Sequence, residues 1–182
     1  MVAYRSRILV YVVTFCAALV WVLASSPGPA QAEDQSASDA GRVASQGTPP
    51  WPPCGAHDKK TKVLYQYKRA AIAGVAGARA TLACGTSEWG FLHIKKGHLS
   101  QWEAKAAPLF VPWMDVAHWA ITNALTFPCS TLRQGFNDTI LYVGRFELRD
   151  RGGALIQRFG VRVVVSRTTQ NIITAFPVSK AC

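Results

Sequence analysis

The chain has 182 residues with 20 Lys+Arg against 10 Asp+Glu, a formal net charge of +10. That length suffices for one domain with a real hydrophobic core. The positive balance favours anionic partners such as nucleic acid, acidic polymer or a membrane surface, without naming which.

Residues 1–32 read as a secretory signal peptide of bacterial type: Arg5 and Arg7, the apolar run Ile8–Ala24, then Ala30-Gln31-Ala32 at the end. The apolar run is 17 residues, short for a membrane span, so an uncleaved anchor is the weaker alternative. Cleavage removes Arg5 and Arg7, which leaves 18 Lys+Arg against 10 Asp+Glu on 150 residues, about +8. The expectation is a secreted, extracellular monomer with no stable membrane association.

Residues 33–53 are polar, small and proline-ended, with no hydrophobic period, and read as a flexible leader. Cys54 then opens a single domain over 54–182. Four cysteines remain after export, Cys54, Cys84, Cys129 and Cys182, an even number that implies two disulfides with three pairings open. Their wide spacing argues against a zinc site. The pairing taken forward is Cys84–Cys129 with Cys54–Cys182.

Val63, Tyr65 and Tyr67 alternate like a strand, whereas 70–80 settles neither way. Helix signals begin at Thr86 or Ser87 as N-cap, with Glu88 in the first turn. His93 and His98 follow, flanked by Lys95, Lys96, Trp89 and Trp102. Positions i and i+5 lie about 140° apart on a helix. The expectation is therefore that Gly97 stops the helix in a left-handed conformation and folds His98 back across a cleft from His93. A second helix follows Pro112, with Trp113, Val116, Ala117, Ala120, Ile121, Ala124 and Leu125 as its apolar stripe. His118 reads as an ordinary helix-face histidine.

Beyond Cys129 the pattern turns to strands at 139–148, 154–166 and 172–178, with a bulge expected at Gly144. Turns at 150–153 and 168–171 join them into an antiparallel meander. The expected class is α+β: N-terminal helices packed on a C-terminal twisted antiparallel sheet, stapled by disulfides.

GFLHIKKGH, the apolar helix, and GVRVVVS followed by NIITAFPV carry a resemblance. Residues 84–178 look like the small nuclease domains of bacterial polymorphic toxins, of the barnase/EndoU/colicin/RelE-like ribonuclease fold and nearest its EndoU-like members. The matches are His93-Ile94, His98, Arg162-Val163-Val164-Val165 and Ile172-Ile173-Thr174-Ala175-Phe176-Pro177. The resemblance implies a toxin-like endoribonuclease, with RNA as substrate and a cognate inhibitor or immunity protein as partner. It also implies that Thr174 hydrogen-bonds a phosphate oxygen. This chain departs from the toxin pattern in having its own signal peptide and two expected disulfides.

The chemistry of the residues agrees. RNA cleavage by the ribose 2′-OH needs a base, an acid and positive charge for the pentavalent phosphorus. His93 and His98 supply the first two, Lys96 and Arg162 the third. Lys95 is placed on the phosphate backbone, and Trp89 and Tyr142 on the bases. No metal or cofactor is called for. No H-E-x-x-H, G-x-S-x-G or phosphate-binding glycine loop occurs. Glu147 keeps open a variant in which a strand carboxylate is the base. The alternative from another class is a non-catalytic secreted basic binding protein, an inhibitor or envelope-associated factor.

Overall fold

The computed structural model describes residues 50–182 apart from 73, 76, 77 and 151. The signal peptide at 1–32 and most of the 33–53 leader therefore lie outside the described residues. Two strands come first, β1 (Val63–Lys68) and β2 (Arg79–Ala83), paired as an antiparallel hairpin. Helices α1 (Gly90–Ala106) and α2 (Trp113–Thr126) follow, joined by a short 3-10 turn, Ala107–Leu109. Then come β3 (Ser130–Gln134), β4 (Thr139–Arg149), β5 (Leu155–Ser166) and β6 (Ile172–Val178).

The class is α+β, and the last four strands form one antiparallel meander in the order β3-β4-β5-β6. The helices are not N-terminal as expected: a hairpin precedes them, and β3 adds a strand to the three read from the sequence. Both helices pack on the sheet, α1 chiefly against β6 and α2 against β4 and β5. The reason lies in the alternation of β5. Val161, Val163 and Val165 are fully buried on the helix side, while Arg162 points outward. Opposite them, six of the seven residues of the α2 stripe are fully buried, and Trp113 at its start is only partly so.

Gly144 serves a purpose other than the bulge assigned to it. Pairing with β5 runs unbroken through Gly144, and the irregularity falls at Leu148/Arg149 instead. A Cβ on Gly144 would come within 2.5 Å of the Ala124 Cα, so the missing side chain lets α2 lie close on the sheet.

The disulfides join Cys54 to Cys84 and Cys129 to Cys182, with Cα separations of 5.7 and 6.0 Å, which overturns the expected pairing. The hairpin explains the first bridge. The Cys84 N–H donates to the Lys62 carbonyl, so the end of β2 returns to the start of β1, where Cys54 enters. For the second, residues 179–182 leave β6 and cross the outer face of the sheet over Gly160, where a Cβ would lie 2.7 Å from the Lys180 carbonyl oxygen. They reach Cys129, whose N–H donates to Val143 on β4. Sequence separations of 30 and 53 give a loop-closure stabilisation on the order of 3–4 kcal/mol for each bridge.

The leader boundary also moves. Trp51 is 2% exposed and packs edge-on against Phe91 and Trp113, so the folded part begins at least three residues before Cys54. Its indole N–H donates to the Tyr67 hydroxyl at 2.8 Å, which in turn shares a 3.0 Å hydrogen bond with His118 Nδ1. His118 is thus part of the core wall rather than a plain helix-face residue. Burial disfavours its charged form, with Asp115 opposing. Arg69, almost wholly buried, bonds the Arg79 carbonyl, Gln170 Oε1 and the Tyr142 hydroxyl, tying the hairpin to β4 and to the turn before β6.

Candidate active site

The segment leading into α1 is a tight turn built on two glycines. Gly85 and Gly90 hold left-handed φ values of 71° and 79°, and a Cβ on Gly85 would overlap the Trp89 carbonyl. Within it the Thr86 N–H donates to the Trp89 carbonyl, and Thr86 Oγ1 accepts from the Glu88 N–H. The N-cap is Trp89, three residues beyond Thr86, and it makes no side-chain cap. Trp102 fixes the other half of the helix by donating its indole N–H to the Ala175 carbonyl of β6 at 3.1 Å.

Between these anchors α1 runs without a break through Gly97 and His98. The helix stop expected at Gly97 is absent, and its φ is not left-handed. Even so, the two imidazoles come together, with ring centroids 5.9 Å apart and planes at 81°. At 100° per residue His93 and His98 lie about 140° apart, and Gly97 falls in the sector between them. A Cβ placed there would meet nothing within 4 Å.

Each ring is held by its Nδ1. That of His93 donates to the Ser87 carbonyl at 2.8 Å, since a carbonyl can only accept. That of His98 donates to Gln101 Oε1 at 3.1 Å. Both neutral rings therefore keep the Nε2 lone pair, and neither Nε2 bonds a protein group among the described residues. The His98 ring also stacks on Phe176 of β6, with centroids 4.7 Å apart and planes at 19°. Burial lowers the His98 pKa below the usual histidine value, Gln101 opposes this, and the nearby His93 adds to the lowering.

The remaining expected residues divide. Lys95 and Lys96 are exposed and, with Ser87, Leu92 and Leu99, line a cavity of about 440 Å³. Lys96 lies one turn from His93. Arg162 pairs directly with Phe176 across β5 and β6, so it shares the outer sheet face with the ring that carries His98. Thr174 lies on that face opposite Val164, but its Oγ1 is closed to solvent and has no hydrogen-bond partner among the described residues. Trp89 is half-buried at the head of α1.

Tyr142 is misplaced in the sequence reading: it is fully buried on the helix side, its hydroxyl bonded to Arg69, and no base can stack on it. Glu147 is ion-paired to both Arg149 and Arg158 at 2.7 Å, and these hold its carboxyl below the ordinary range. Gln101, Phe176 and the Ser87 carbonyl went unremarked as site residues. Only Gln101 carries a sequence signal, at i+3 from His98 on one helix.

No family model matches the chain. Two proteins of Mycobacterium tuberculosis, the uncharacterized protein MT0764 of strain CDC 1551 and the uncharacterized protein Rv0739 of strain H37Rv, are each 35% identical to it over 101 residues. That stretch covers 54% of this chain and 36% of each relative, so the chain spans about a third of the length of the curated proteins it matches. No solved structure matches.

Proposed function

We propose that the chain is a secreted, metal-independent endoribonuclease that cleaves RNA by 2′-OH transesterification. The observation that carries this is the His93–His98 pair, two rings 5.9 Å apart, each fixed through Nδ1 and each offering Nε2. His98, whose charged form burial disfavours, is the base: its Nε2 takes the 2′-OH proton as the 2′ oxygen attacks phosphorus. His93, in its charged form, is the acid: its Nε2 gives a proton to the departing 5′ oxygen. The products are a 2′,3′-cyclic phosphate and a 5′-hydroxyl end. Lys96 and Arg162 neutralise the charge that builds on the phosphorus oxygens. The closed hydroxyl of Thr174 leaves the phosphate to these two cations.

The stretch Gly90–Val178 holds two helices followed by an antiparallel meander, the same order in which the resemblance to polymorphic-toxin ribonuclease domains was read. That resemblance extends the proposal to a toxin-like role and a cognate inhibitor or immunity protein. Two disulfides suit an oxidising compartment, as secretion requires. Among the described residues, no helix is long and apolar enough to cross a membrane.

The test is incubation of the oxidised protein with single-stranded RNA in EDTA, followed by analysis of the ends. Cyclic phosphate termini are expected. A folded protein that binds RNA and leaves it intact would replace this reading with that of a basic binding protein.

A further inference from the structure

A second cavity, of about 180 Å³, lies on the sheet away from the histidines. Arg145, Arg158 and Lys180 are among the residues that line it, and the segment 179–182 forms one wall. Arg158 and Arg162 occupy alternate outward positions of β5, four residues and so about 13 Å apart by strand rise. Arg145 pairs with Gly160 between them, so all three arginines project from the same face. Glycine at 160 is what lets the 179–182 wall lie against the sheet, and the Cys129–Cys182 bridge holds that wall in place.

The charges are only partly matched. Arg158 shares Glu147 with Arg149. Arg145 donates at 3.5 Å to a main-chain carboxyl oxygen of Cys182, which offsets part of its charge, and Lys180 has no ion pair to a carboxylate side chain among the described residues. Small size, three cations and a rigid wall suit one phosphate group.

We propose that this cavity is a distal phosphate subsite, holding an RNA chain a few nucleotides from the bond that His93 and His98 cleave. The inference rests on the ribonuclease reading for its substrate, but the phosphate site itself is measurable without cleavage. RNA spanning both points gains one further phosphate contact, and a dinucleotide does not reach it. Affinity and kcat/KM therefore rise with substrate length.

The experiment uses the oxidised full-length protein and a non-cleavable 2′-O-methyl RNA octamer, with binding measured against salt for the parent, Lys180→Ala and Arg145→Ala/Lys180→Ala. Lys180 makes no side-chain hydrogen bond among the described residues, so its single variant keeps the test clear of folding defects; circular dichroism checks both. The double variant is expected to weaken binding roughly tenfold and to flatten the log Kd–log salt slope by about 0.7, the value for one single-strand phosphate. On cleavable RNA, it should lose about tenfold more kcat/KM on an octamer than on a dinucleotide. If the parent cleaves nothing while these binding changes appear, the ribonuclease reading falls and the phosphate site stands. Octamer affinity and salt slope equal to the parent's in the folded double variant overturn the subsite, as does an equal loss on octamer and dinucleotide.

Discussion

Gly97→Ala tests whether His93 and His98 share one continuous helix. Glycine in a helix interior is about 1 kcal/mol less favourable than alanine. Two features let that gain be realised in full: the residue lies inside α1 with no left-handed φ, and its Cβ would meet nothing within 4 Å. Over roughly 130 folded residues, an unfolding entropy near 2.1 cal/mol/K per residue converts 1 kcal/mol into a Tm rise of about 3–4 °C. Thermal melts of the oxidised protein followed by circular dichroism read this directly. If Gly97 ends the helix instead, alanine forces an L residue into a left-handed conformation and Tm falls by a comparable amount. A fall would refute the continuous helix and the placement of both rings with it.

His93→Ala or His98→Ala should each cost roughly 2–4 orders of magnitude in RNA cleavage, with the double variant little worse than the worse single. Because burial lowers the His98 pKa, the acid limb of the pH–rate profile should sit below the ordinary histidine value, activity being lost as His98 is protonated; a limb above that value would remove His98 as the base. Thr174→Val removes a closed, unpartnered hydroxyl and should stabilise the fold by about 1 kcal/mol in a denaturant titration; a cleavage loss of orders of magnitude would instead put that hydroxyl on the phosphate. Trp51→Ala should destabilise by about 3–5 kcal/mol, and a parent-like Tm would return Trp51 to the leader.

Where one periodicity dominates, the chain was legible. The six buried α2 positions and the three inward valines of β5 follow from spacing alone, because each element buries a single stripe against a single neighbour. β3 was invisible because it is an edge strand with four of its five residues exposed, Leu132 among them, so no alternation marks it. Trp51 shows the converse: it lies in polar, proline-rich sequence, and only tertiary contacts with Tyr67, Phe91 and Trp113 account for its burial. Tyr142, by contrast, shares the period-2 buried face of Ile140, and its assignment to the bases ran against that alternation. Cysteine spacing holds no pairing information, since pairing depends on which strand ends return to one another. The histidine pair was legible in its members and wrong in its mechanics. Glycine both ends helices and occurs in their exposed interiors, and sequence alone does not distinguish the two.

The two disulfide rings, Cys54–Cys84 and Cys129–Cys182, follow one another along the chain without overlapping, whereas the pairing expected from sequence nests one inside the other. Sequential rings set an order of maturation. A chain entering an oxidising compartment N-terminus first presents both sulfurs of the hairpin ring before Cys129 arrives, so that ring can close with no competing thiol in reach. The second ring encloses all four strands of the meander. Once shut, it makes that half of the protein a covalent loop that cannot pass as a single extended strand through a narrow pore. Any threading of the extended chain through such a pore therefore has to precede closure of the second bond.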